Sequence, residues 1–161
     1  MGAEEAGYSG VVDVGVVLVS LFDNPLRDDA LEFIGDVLSR KVLAAIPTST
    51  FLGAYHVATR YLGCPRDLVV REIESTLGVA SPAFVEDISL DVVREAVSAA
   101  MGYNIESWDG YLVALARGFK APVIYSLDEG LGKVSDIRLV VPFVREKVVE
   151  YHVWVRGLLG R

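Results

Sequence analysis

Apolar positions change period along this chain, and the changes mark out alternating strands and helices. Val11 to Phe22 is Val-rich and β-branched, interrupted only by Asp13, Gly15 and Ser20. Such a near-continuous run suits a strand buried on both faces of a parallel sheet, its end running on into a helical turn. Asn24-Pro25 then offers a capping residue followed by proline at the first helical position. Leu26, Ala30, Leu31, Phe33, Ile34, Val37 and Leu38 recur at helical spacing, with Asp28, Asp29, Glu32 and Asp36 interleaved. Val42 to Ile46 reads as a second strand. Thr48 or Ser49 caps a helix running to Leu62, with Gly63 as its C-terminal cap.

Pro65 or Asp67 opens another helix, ending near Gly78, and a proline-containing connector leads to a short strand over Val85–Ile88. Ser89 and Asp91 start a helix that stops at Gly102. Ser107 caps the next, which stops near Gly118. Pro122–Leu127 and Ile137–Val141 read as strands, and Pro142 opens a final amphipathic helix to about Leu159. Strands alternating with helices imply βαβ units. The expectation is an α/β protein, a three-layer α/β/α domain with a mostly parallel central sheet. Residues 1–8 read as a loose tail and residues 9–161 as one domain that includes the C-terminal helix.

Composition narrows the picture. The chain has 161 residues, 52% apolar and 23% charged, which argues against disorder. A net charge of −7 disfavours a broad phosphate-backbone coat, though a basic rim around an acidic metal site stays compatible. Arg27, Arg40, Lys41, Arg60, Arg66, Arg117, Lys120 and Lys133 are the cations available to contact phosphate. The single Cys64 cannot form an internal disulfide, and no Cys/His cluster suggests zinc. A reducing, cytoplasmic setting is expected. The N-terminus lacks the basic region of a signal peptide, and the longest uncharged run, Val42 to Thr59, reads as strand plus helix, so no membrane association is expected. No Gln, two Asn, one Cys and two Met point to a thermophile.

In open parallel sheets, ligands bind beyond the carboxyl ends of the strands. Three acidic residues fall at such element ends. Asp13 is the only charge within the first Val-rich run, Asp109 lies in the first turn of its helix, and Asp128 follows Val123-Ile124-Tyr125-Ser126-Leu127. Converging carboxylates would suit Mg²⁺ or Mn²⁺, which prefer oxygen ligands. Each also has a plain structural role: a strand-end Asp held by backbone amides, a helix-dipole Asp, and a turn Asp. For Asp13 that role is the less favoured, because a buried carboxylate is costly unless paired or metal-bound. A phosphate loop at Gly130-Leu131-Gly132-Lys133-Val134 fails for want of the upstream Gly and following Ser/Thr, and no nucleophile elbow is present.

Val11-Val12-Asp13-Val14-Gly15-Val16 resembles the opening strand of PIN-domain proteins. Ser107-Trp108-Asp109-Gly110-Tyr111 resembles that family's acidic helix start, and Val123 to Leu131 its later strand and Asp turn. The order and spacing resemble those of VapC-like toxins over roughly residues 9–143. The resemblance implies a metal-dependent ribonuclease in which Asp13, Asp109 and Asp128 bind Mg²⁺ or Mn²⁺ and carry catalysis. The implied partners are single-stranded or structured RNA, a small antitoxin protein and a second copy of the chain. For that homodimer, the last helix offers an apolar stripe of Val144, Val148, Tyr151, Val155 and Leu158, broadened by Val149, Val153 and Trp154.

Two departures from the family pattern stand out. Val14 and Gly15 replace the usual Ser, Thr or Asn after the first Asp. The family's helix Glu corresponds to Gly53, and no acid occurs between Lys41 and Asp67. His56, one turn beyond Gly53, is read as a half-buried helix histidine bonded to a neighbour, with a ligand role as the alternative. Glu106 and Glu129 are the candidates to replace the missing carboxylate. The alternative function is a PIN-like module that has lost cleavage and acts by binding RNA or protein. A third reading, a Rossmann-like regulatory domain, requires that the three Asp residues not converge.

Overall fold

The structure is a computed structural model that describes residues 7–86 and 88–160. The extended run after the start is short. Strand β1 covers Gly10–Val12, and Asp13 ends it. The Asp13 side chain accepts a hydrogen bond from the Val14 amide and caps helix α1 (Val14–Leu18). Most of the Val-rich run is therefore helix and turn, not strand. A side-chain cap and burial of Val16, Val17 and Leu18 outweigh the β preference of valine.

Helix α2 (Arg27–Leu38) leads to β2 (Ala44–Pro47). It begins two residues after Pro25 because the Asn24 side chain ties up a turn, accepting from the Leu26 amide and donating to Val19 and Phe22 carbonyls. Helix α3 (Ser49–His56) continues into a π-helical turn (Val57–Tyr61) and stops at Gly63, whose φ is +68°. Helix α4 (Arg66–Leu77), β3 (Phe84–Val85), α5 (Leu90–Tyr103) and α6 (Ser107–Gly118) follow. Ser89 caps α5 as expected, accepting from Val92, whereas Glu106 rather than Ser107 holds the cap position of α6. Strand β4 (Val123–Tyr125), a 3₁₀ turn (Glu129–Lys133), β5 (Arg138–Val140) and α7 (Arg145–Leu158) complete the chain. Helix α7 starts three residues after Pro142, leaving Phe143 to pack edge-on against Phe33 at 6.5 Å.

The five strands form one all-parallel sheet in the order β3-β2-β1-β4-β5. Side chains alternate faces along each strand. Val12, Ala44 and Ile46 join the core shared with α1, α2, α3, α4 and α7. Val11, Ala45 and Ile124 join the core shared with α5, α6 and the 3₁₀ turn. The result is a three-layer α/β/α fold. The chain adds β2 and β3 on one side of β1, then returns to add β4 and β5 on the other. The connecting helices change face at that reversal, as a single crossover handedness requires. The reversal makes the gap between β1 and β4 the topological switch point.

Residues 1–6 of the expected tail lie outside the described residues. Tyr8 is anchored: its hydroxyl donates to the Pro82 carbonyl at 2.6 Å and its ring lies 5.0 Å from Phe119. Among the described residues no helix is long and apolar enough to cross a membrane. Helix α7 spends much of its stripe on covering the first core through Val148, Tyr151, Trp154 and Val155, while Val149 and Val153 face solvent.

Candidate functional site at the switch point of the sheet

Asp13 stands where β1 ends. Its amide donates to the Tyr125 carbonyl at 2.9 Å, extending the ladder to β4, and its side chain is 6% exposed. One carboxylate oxygen accepts from the Val14 amide at 2.6 Å and the other from the Ser126 hydroxyl at 2.5 Å. Ser126 is fully buried, and its Oγ also accepts from the Asp128 amide at 2.9 Å. A single hydroxyl thus joins the first and third aspartates. Asp128 in turn accepts from the Gly130 amide at 2.8 Å, an Asx turn that opens the 3₁₀ segment.

Asp109 comes from the opposite layer. It sits in the first turn of α6, and its depth depends on the next residue. A Cβ at Gly110 would fall 2.2 Å from the Ala96 carbonyl oxygen of α5. Glycine permits the two backbones to approach, and this approach places the half-buried Asp109 at the crevice.

Burial pushes the Asp109 carboxyl up to about 6, and the charges of Asp13, Asp128 and Glu106 push in the same direction. Asp13 is also raised, first by burial; its hydrogen bonds from Ser126 and Val14 oppose the shift and the Asp128 charge adds to it. Like charges held together in a partly desolvated place disfavour joint ionisation. Asp109, Asp128, Glu106 and Lys133 line a crevice of about 340 Å³ with Asn104, Ile105 and Gly130. Asp13 is buried beside this crevice and does not line it. Among the described residues, no group of three or more His, Cys, Asp or Glu side chains is arranged to hold a metal ion as it stands.

The two departures noted in the sequence face each other. A Cβ at Gly53 would stand 3.3 Å from both methyl groups of Val14. Valine therefore fills the space toward which a side chain at position 53 would project. His56 differs from expectation: it is exposed at the end of α3, its ring edge-on to Tyr61 at 5.4 Å. Being exposed removes it from the half-buried role first read for it. Glu106 lines the crevice, whereas Glu129 is exposed and outside its lining. Of the cations named above, Lys133 lines the crevice. Arg117 is held by Asp136 and Glu95, Arg27 faces Glu72, and Lys41 faces Asp36.

Ser126 escaped the sequence reading. Its signal was present in the Ser-x-Asp spacing at a strand's end, where a hydroxyl commonly accepts from the amide two residues on. At the carboxyl ends of β2 and β3, a second hollow of about 520 Å³ is lined by Thr48, Ser49, Leu52, Val85 and Tyr111 among others. There the Ser49 and Tyr111 hydroxyls lie 3.1 Å apart.

Comparison with models of protein families finds no match, and no curated protein matches the chain.

Proposed function

We propose that this chain is a metal-dependent endoribonuclease of the PIN-domain type, of the kind found among VapC-like toxins. The observation that supports the reading is that Asp13 and Asp128 share the Ser126 hydroxyl while Asp109 and Asp128 line one crevice. Perturbed carboxylates gathered in a cleft are a functional signature. Their donor chemistry, oxygen only and in excess negative charge, fits Mg²⁺ or Mn²⁺.

Asp13, Asp109 and Asp128 would hold the ion. A bound divalent ion would activate water and neutralise charge on the scissile phosphate. The chain's own residues do the rest. Ser126 fixes the orientation of Asp13 through its hydroxyl. Lys133 sets a positive charge on the crevice rim to draw the phosphate backbone. The hollow lined by Ser49 and Tyr111 lengthens the surface along which a single strand would lie. Without a cation the carboxylates repel RNA, so ion binding precedes substrate. A small antitoxin protein belongs to the same reading.

A second reading is favoured by the Val14–Gly53 contact, which leaves a three-carboxylate site: a PIN-like module that binds RNA or protein without cutting. One experiment separates the two. Calorimetric titration with Mn²⁺ and a single-stranded RNA cleavage assay are run on wild type, Asp13→Asn and a double substitution, Val14→Ser with Gly53→Glu. The nuclease reading expects Mn²⁺ binding and slow cleavage by wild type, loss of both in Asp13→Asn by a factor of 100 or more, or about 2.7 kcal/mol, and tighter binding in the double variant. Cleavage that survives Asp13→Asn sinks the metal mechanism. RNA binding without Mn²⁺ binding in wild type, and Mn²⁺ binding in the stably folded double variant, establishes the weakened module.

A further inference from the structure

Helix α3 begins at the hollow lined by Ser49, Leu52 and Tyr111, and Tyr111 stands two residues after Asp109 on α6. The helix ends in the π-helical turn Val57–Tyr61, closed by a hydrogen bond from the Leu62 amide to the Val57 carbonyl at 3.1 Å. Residues five apart in an α-helix point about 140° away from one another. The wider π-turn brings them nearly into line, and such turns are rare and gather at functional sites. His56 and Tyr61 therefore meet, their rings edge-on with centroids 5.4 Å apart. The contact buries neither: His56 is exposed and Tyr61 is 63% exposed.

Charge sets this segment apart. The chain carries 22 acidic residues and a net charge of −7, but residues 42–66 contain no acid. Their formal charges are Arg60 and Arg66, both exposed. Arg60 adjoins Tyr61 and has no ion-pair partner among the described residues. Leu52, His56 and Arg60 recur every four residues, all exposed. A band whose own residues carry no acid thus runs about 12 Å along the helix, from the hollow to the aromatic pair.

We propose that His56, Arg60 and Tyr61 form a stacking subsite for unpaired bases of a single-stranded RNA that passes from the aspartate crevice through the hollow and along α3. The inference rests on the reading that this chain handles RNA, and it does not require cleavage. The chemistry selects this occupant. Exposed aromatic rings beside a cation hold single strands by stacking, since every unpaired base offers a flat face. The guanidinium can pair with a phosphate or stack on a base. A duplex keeps its base faces within its own stack, so it could use the charge alone.

Fluorescence anisotropy on the full chain, with a labelled single-stranded RNA of about 12 nucleotides in Mg²⁺, tests this. Slow cleavage leaves the strand intact over the titration, which a gel checks. Proton NMR of the two histidines runs alongside. The ring protons of His56 are expected to move upfield under a stacked base, while those of His152 on α7 stay still. Tyr61→Ala is expected to weaken single-strand binding about tenfold and Tyr61→Phe to keep it, with melting temperatures unchanged. Arg60→Gln should lower the slope of log affinity against log salt by about 0.7, one phosphate contact on a single strand. Binding of the same sequence annealed as a duplex should not respond to Tyr61→Ala. A His56 signal that does not move, Tyr61→Ala binding as wild type does, or equal weakening toward single strand and duplex each overturns the proposal. Mn²⁺-dependent cleavage by Tyr61→Ala with an unchanged KM overturns the subsite and leaves the nuclease reading standing. Single-strand binding with the His56 shift, but no cleavage in Mn²⁺, supports the subsite and removes the nuclease reading.

Discussion

The two ends of helix α6 carry charge in opposite ways. At its N-terminus the Asp109 carboxyl is pushed up to about 6, by burial first and then by the charges of Asp13, Asp128 and Glu106. At its C-terminus Arg117 makes a two-pronged contact with Asp136, at 2.9 Å through both Nε and Nη2, and reaches Glu95 at 3.1 Å and the Tyr103 hydroxyl at 2.9 Å. The guanidinium holds the Asp136 carboxyl below the usual carboxylate range, chiefly by its hydrogen bonds. A helix N-terminus favours a carboxylate by about 0.3–1 kcal/mol. At Asp109, burial and like charge outweigh that help. A network whose task is to tie α5, α6 and the segment before β5 together is arranged so that each charge meets its opposite. A half-buried carboxylate with like charges nearby carries a cost that a cation would relieve. The compensated end contributes stability, and the uncompensated end is where the proposed chemistry would sit.

The contrast can be broken most severely at Gly110. Gly110→Ala drives a methyl into the Ala96 carbonyl, so the α5–α6 approach must open. A loss of about 3 kcal/mol is expected, read as a fall in the urea midpoint, together with loss of whatever activity depends on Asp109. Unchanged stability would show that Asp109 is not positioned by this contact. A smaller effect is expected at the other end. Arg117→Ala should cost about 1–2 kcal/mol, because it removes a fork from a partly exposed pair. Arg117→Lys should recover little, since an ammonium cannot reproduce the planar fork. Full recovery in the lysine variant would reduce the network to simple charge.

The smallest effect sharpens the comparison most. Asp109 binds its proton up to about pH 6 in the folded chain and only up to about 4 when unfolded. The folded state therefore holds more protons between those values, and stability falls as pH rises from about 4 to about 6. Asp109→Asn should remove that fall, raising stability at pH 7.5 by about 1 kcal/mol after allowance for solvent screening of a half-exposed group. Below pH 4 the variant should gain nothing. Asp136 has the opposite sign: its contribution is present above its ordinary value and is lost as pH falls through its depressed one. Urea unfolding of both proteins at several pH values measures this, and parallel profiles would remove the charge repulsion from the account.

The alternation of strands and helices, their order, and the caps at Ser89 and Gly63 were legible in the sequence because they depend on neighbours a few positions apart. The three aspartates were legible as well, each at the end of an element. Tertiary structure alone decided what they face. It turned most of the Val-rich run into helix, because Asp13 caps α1 and burial of Val16 and Val17 overrides local preference. It brought Ser126 to Asp13 across 113 positions and joined Asp128 to the same hydroxyl. It set Gly53 under Val14, and Asp109 at the depth that Gly110 allows against α5. These are contacts between distant segments, created when the strand order reverses between β1 and β4. Local periodicity carries no record of which side of β1 the chain will return to, so the electrostatics of the crevice came into being only with the fold.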